Sequence, residues 1–91
     1  MGHKVTVKAT VVNRLGLHAR PAMAFVDLAC LFQSEVRVVR EDTEVDGKSI
    51  MQVMMLAASK GSELVITAEG EDADKAAPAL KALVDGGFYQ E

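Results

Sequence analysis

From Lys4 to Val12 apolar and polar residues alternate, with Val5, Val7, Ala9 and Val11 on one side and Thr6, Lys8 and Thr10 on the other. That period predicts a first strand with one face against a core. Asn13 and Arg14 open a loop, after which the period changes. Ala22, Phe25, Val26 and Ala29 recur at helical spacing, predicting a helix over Ala19 to Phe32. Ala24, Leu28 and Leu31 lie off this stripe, so the helix is apolar on more than one face; deep burial and partner docking both fit. Glu35 to Arg40 reads as a second strand with Val36 and Val38 inward, although Val39 breaks its polar face. Glu41-Asp42 reads as a turn, and Thr43 to Asp46 as a short charged strand suited to a sheet edge. Ser49-Ile50-Met51-Gln52 is a capping-box sequence. It predicts a second helix over Ile50 to Ser59, with Ile50, Val53 and Ala57 inward and Lys60-Gly61 closing it. Leu64, Ile66 and Ala68 alternate with Val65, Thr67 and Glu69 in a fourth strand. Gly70 to Asp72 turns the chain into a third helix, Ala73 to Asp85, buried along Ala76, Leu80, Leu83 and Val84 and stopped by Gly86-Gly87. Pro78 is expected to kink this helix or delay its start.

The element order βαββαβα, with mostly one-sided strands, predicts an α+β fold: a four-stranded antiparallel sheet with three helices on one face. A length of 91 residues predicts one domain over 1–91, and 49% hydrophobic residues supply a modest core. A single cysteine, Cys30, excludes an intrachain disulfide and reads as a small buried hydrophobe. With no secretory h-region and no membrane-length apolar run, a soluble cytoplasmic protein is expected. A net charge of -3, with ten basic residues scattered along the chain, argues against nucleic acid. His3 and Cys30 have no metal-ligand spacing to His18, so no metal is expected. Gly47-Lys48-Ser49 fails as a nucleotide-binding P-loop, because Asp42 stands where the first glycine is required.

The chemistry concentrates at Leu15-Gly16-Leu17-His18-Ala19-Arg20-Pro21-Ala22. Pro21 suits a first helical turn, which makes His18 the N-cap and leaves the amides of Ala19 and Arg20 without helical partners. Free amides at the positive end of a helix form an anion site. The Arg20 guanidinium suits phosphate oxygens and stays charged. In its unprotonated form the His18 imidazole is a nucleophile able to take up a phosphoryl group. The plainer reading makes His18 a polar cap and Arg20 a solvated charge.

Gly16-Leu17-His18-Ala19-Arg20-Pro21-Ala22 resembles the active-site motif of the HPr family, the histidine-containing phosphocarriers of the bacterial phosphotransferase system. The resemblance continues at Gly47-Lys48-Ser49-Ile50-Met51 and Ala68-Glu69-Gly70-Glu71-Asp72, in register over nearly the whole chain. It implies an open-faced β-sandwich with strand order 1-4-2-3. It implies a carrier rather than a turnover enzyme, needing no cofactor. Such a carrier accepts a phosphoryl group on His18 from phosphorylated enzyme I and passes it to a histidine of an enzyme IIA protein. Arg20 and the Ala19 and Arg20 amides steady the phosphate, and Leu17, Ala19, Ile50, Met51 and Met54 form the docking surface. Ser49 matches a serine that a kinase/phosphorylase modifies in some members. Sugar-branch carriers often place a small polar residue where this chain has Leu15. That departure and the ending Gly87-Phe88-Tyr89-Gln90-Glu91 resemble the nitrogen-related branch, whereas the Ser49 region resembles the sugar branch. Two other classes are a regulatory docking module that controls a partner without net transfer, and a small-ligand-sensing α+β domain.

Overall fold

The computed structural model describes residues 3–89. Strand β1 spans His3–Thr10, β2 Glu35–Arg40, β3 Thr43–Asp46 and β4 Glu63–Gly70; helix α1 spans Ala19–Ala29, α2 Ile50–Met55 and α3 Ala73–Asp85, with a short 3-10 turn at Gly87–Tyr89. The four strands form one antiparallel sheet in the order β1-β4-β2-β3. Its register sets Val7 opposite Ile66, Ala9 opposite Leu64, and Val38 between Ile66 and Val45, so the alternating apolar positions gather on one face. There they meet Phe25 of α1, Val53 of α2 and Leu80, Leu83 and Val84 of α3, all buried.

Several boundaries differ from those the sequence pattern predicts. β1 ends at Thr10, yet Val11 stays buried and tied to the far loop, donating to Ser62 O at 2.9 Å while accepting from Gly61 N at 2.7 Å. α1 stops at Ala29, and Leu31 and Phe32 continue only as i→i−3 bonds to Leu28 and Ala29. Beyond the stripe of Ala22, Phe25 and Ala29, Cys30 turns outward and is exposed rather than buried, and Leu31 is exposed as well. α2 is shorter still. The Leu56 and Ala57 amides bond to Val53 and Met54 at 3.2 and 3.1 Å, and Ala57 adopts φ 50°. This left-handed residue ends the helix and turns Ala57 outward, while Leu56 and Ala58 fill the core instead. α3 begins at Ala73 with no delay from Pro78, which lies on its exposed side. Of the chain ending used for the branch resemblance, Phe88 is buried at φ 60°, while Gln90 and Glu91 lie outside the described residues.

The connection from α1 to β2 is held by α3. The Asp72 carboxylate accepts from the Gln33 amide at 2.9 Å, the Ser34 amide at 3.0 Å and the buried Ser34 hydroxyl. The Ser34 hydroxyl, then the Gln33 amide, hold the Asp72 carboxyl below the ordinary carboxylate value of 3.8. A depressed folded-state value means its stabilisation is complete above 3.8 and lost as pH falls through the lower folded value. Asp72→Asn is therefore expected to melt below the wild type at neutral pH, with the gap narrowing once the pH is well below 3.8. Thermal melts at both pH values check this; an equal gap contradicts it.

Candidate functional site

The loop from β1 to α1 is clamped at both ends. The Gly16 amide donates to Asn13 O at 3.2 Å, and the Asn13 side-chain amide donates back to Gly16 O at 2.7 Å. Gly16 O also accepts from the His18 amide at 3.0 Å, while the Leu17 amide donates to Ala58 O at 2.8 Å. Gly16 has φ 74°, and a Cβ there would lie 2.5 Å from Ala58 O and 2.9 Å from Ser59 Cα. Only glycine meets both the left-handed backbone and the close approach to the chain leaving α2. Leu17, expected on a docking surface, instead points into the core with 5% exposure and anchors the loop. Its apolar side chain finds a filled interior beneath the loop, and burial there removes apolar surface from water.

His18 is the N-cap of α1, with extended backbone (φ -84°, ψ -167°), and its carbonyl accepts from Ala22 N at 2.9 Å. Its half-buried imidazole makes no capping hydrogen bond, so the plain structural role of a polar cap is not one the ring performs. Among the described residues the Ala19 and Arg20 amides have no hydrogen-bond acceptor, Pro21 has no N–H, and the first turn carries no acidic residue. A histidine without a capping bond thus directly precedes two donors unsatisfied among the described residues at a helix N-terminus, an arrangement that favours a negatively charged group. Ala19 and Arg20 are exposed, and Arg20 forms no ion pair among the described residues.

Ser49 caps α2: its hydroxyl accepts from Gln52 N at 3.3 Å. The capping box is only half made, because Gln52 Oε1 accepts from Asp46 N at 2.9 Å and Ser49 N donates to Asp46 O at 3.1 Å. Ile50 is half-buried against the core, whereas Met51 is 76% and Met54 42% exposed. α2 packs beside α1. Met23, Met55 and Leu15 are exposed on these helices and their loop as well, and the sequence reading assigned none of them to a surface. Met23 and Met55 each stand next to a buried residue, Ala22 and Leu56, which is the signal that they face away from the core. Among the described residues no three metal-ligating side chains gather, and no helix is long and apolar enough to cross a membrane.

The family profile described as the PTS HPr component phosphorylation site matches residues 5–85. The chain belongs to the HPr family. It is 49% identical over 83 residues to the phosphocarrier protein HPr of Pseudomonas aeruginosa, covering 90% of this chain and 92% of that protein. A crystal structure of HPr from Bacillus anthracis superposes with TM-score 0.85 at 41% identity, covering 89% of this chain and 96% of that one. HPr-C-His from Thermoanaerobacter tengcongensis gives TM-score 0.87 at 39% identity and covers 98% of both chains. The strand order β1-β4-β2-β3 and three helices are thus the open-faced β-sandwich of HPr, a phosphocarrier family of the phosphotransferase system.

Proposed function

We propose that this chain accepts a phosphoryl group on His18 from phosphorylated enzyme I and donates it to a histidine of an enzyme IIA protein, in the cytoplasm. The observation that carries this reading is the His18 ring, free of capping bonds beside the unsatisfied Ala19 and Arg20 amides. A lone pair on a ring nitrogen of His18 attacks phosphorus as the P–N bond to the donor imidazole breaks. The electron pair returns to the donor ring, each ring keeps its N–H on the other nitrogen, and no net proton moves. Such a transfer needs positioning and charge stabilisation rather than bond-making by further groups. The two amides and the Arg20 guanidinium supply donors for the three phosphoryl oxygens.

Met51 and Met54, with Ala19 and the edge of Ile50, form the docking surface in this reading, and Leu15, Met23 and Met55 extend it. Flexible thioethers repack against differently shaped partners, which suits a carrier that meets a donor and an acceptor in turn. Ser49 is the regulatory position of the same carrier. A phosphate there would add a charge of roughly -2 beside the methionines and weaken docking. The alternative of a docking module without transfer is not favoured, since it has no use for a free ring at a helix end.

Incubation with enzyme I and phosphoenolpyruvate is expected to add one acid-labile phosphoryl group, read by intact mass; no uptake overturns the reading. Arg20→Ala is expected to melt like the wild type, because Arg20 is exposed and outside any ion pair among the described residues. A lost charge-assisted hydrogen bond of about 1.5–3 kcal/mol slows transfer by roughly tenfold to a hundredfold. Single-turnover transfer measures this, and an unchanged rate removes Arg20 from the site.

A further inference from the structure

We infer that Asn13 is a positioning residue for His18, acting through the Gly16 peptide; the inference rests on the reading of His18 as the phosphoryl acceptor. Asn13 lies five residues before the histidine in the sequence and holds both polar groups of Gly16: its carbonyl takes the Gly16 amide at 3.2 Å, and its Nδ2 donates to Gly16 O at 2.7 Å. The same Gly16 oxygen receives the His18 amide at 3.0 Å. The His18 ring has no capping bond of its own, so its place is set by its backbone, and that backbone is set in turn by the Gly16 carbonyl. The chain of contacts from the Asn13 amide to the reacting residue is two hydrogen bonds long.

Stability alone does not account for an asparagine here. The residue is 6% exposed, and its Oδ1 is buried with no hydrogen-bond partner among the described residues. Turning the amide over would set Oδ1 against Gly16 O, two acceptors together, so Nδ2 must face the glycine and Oδ1 must point away, where no described residue reaches it. An unpaired buried acceptor is unfavourable, and an apolar side chain of similar size would avoid it. The Gly87–Tyr89 turn covers the residue from behind: a Cβ on Gly87 would lie 3.9 Å from Asn13 Cβ and 3.6 Å from Val12 Cγ2. What asparagine adds is the Nδ2 donor that fixes the Gly16 carbonyl, and thereby the entry of the chain into α1.

The test compares wild type, Asn13→Leu and Asn13→Ala by thermal melting and by single-turnover phosphorylation from pre-phosphorylated enzyme I, varying the concentration of this chain. Asn13→Leu is expected to melt at or above the wild-type temperature. In both variants the maximal transfer rate is expected to fall by about tenfold, while the half-saturating concentration stays within about twofold, because ring placement and not docking is lost. If Asn13→Leu does not fold, Asn13→Ala carries the comparison. An unchanged maximal rate, a rise confined to the half-saturating concentration, or a rate loss that only tracks the melting temperature overturns the role of Asn13. Failure of the wild type to accept a phosphoryl group overturns instead the reading on which the role rests.

Discussion

His18→Ala is expected to take up no phosphoryl group from enzyme I, while its folding free energy stays within about 0.5 kcal/mol of the wild type. Loss of uptake follows because His3, the second histidine, stands at the exposed start of β1 and not at a helix N-terminus. Preserved stability follows because the imidazole makes no capping bond and is half-exposed. The two backbone contacts of position 18, Ala22 N to its carbonyl at 2.9 Å and its amide to Gly16 O at 3.0 Å, survive the substitution. Intact mass after incubation with enzyme I and phosphoenolpyruvate reads the first part, and urea unfolding the second. An acid-labile phosphate on the variant would move the acceptor elsewhere. A large loss of stability would return His18 to a structural role.

The second large effect is on folding. Gly16→Ala is expected to destabilise by about 3 kcal/mol or more, out of the roughly 5–15 kcal/mol that holds a domain together. A left-handed conformation costs an L-residue about 1–2 kcal/mol. The remainder comes from contact, because the new Cβ would sit 2.5 Å from Ala58 O and 2.9 Å from Ser59 Cα, both backbone atoms without rotamers to yield. Relief requires moving the loop off Ala58, which breaks the 2.8 Å bond from Leu17 N and lifts Leu17 from the core. Gly61 supplies the control. It has φ 95°, but a Cβ there would meet nothing within 4 Å, so Gly61→Ala carries the conformational cost alone, about 1–2 kcal/mol. Urea unfolding of the pair separates strain from collision, and equal losses would contradict the clamp at Gly16.

The sheet was legible because period-two alternation is local. Val5, Val7 and Ala9 declare their face without knowledge of their partners, and the register then sets them against Ala68, Ile66 and Leu64. The His18 cap was legible for a similar reason, since Pro21 fixes where α1 starts. What failed depends on contacts distant in sequence. Cys30 is apolar in type but falls past the last buried turn, where Asp72 captures the next amides at Gln33 and Ser34. Ala57 has helical spacing to Val53, yet α2 ends first at a left-handed residue that composition does not mark. Leu17 resembles a surface residue by its motif, and only the packing of its loop onto Ala58 reveals that it is buried. Asn13 carried no pattern at all: an asparagine at a strand end reads as a turn former, and its hold on Gly16 emerges only in three dimensions. Gln52 matched its capping motif, but its side chain found the Asp46 amide instead of the Ser49 amide.

A carrier accepts its phosphoryl group in order to give it away. The most direct measurement is a chase. The chain is phosphorylated with labelled phosphate, purified from enzyme I and phosphoenolpyruvate, and mixed with an enzyme IIA protein. The expected result is that label leaves His18 and appears on the IIA histidine in a single concentration-dependent step. Label that stays on this chain, or that is released only as inorganic phosphate, would contradict a carrier.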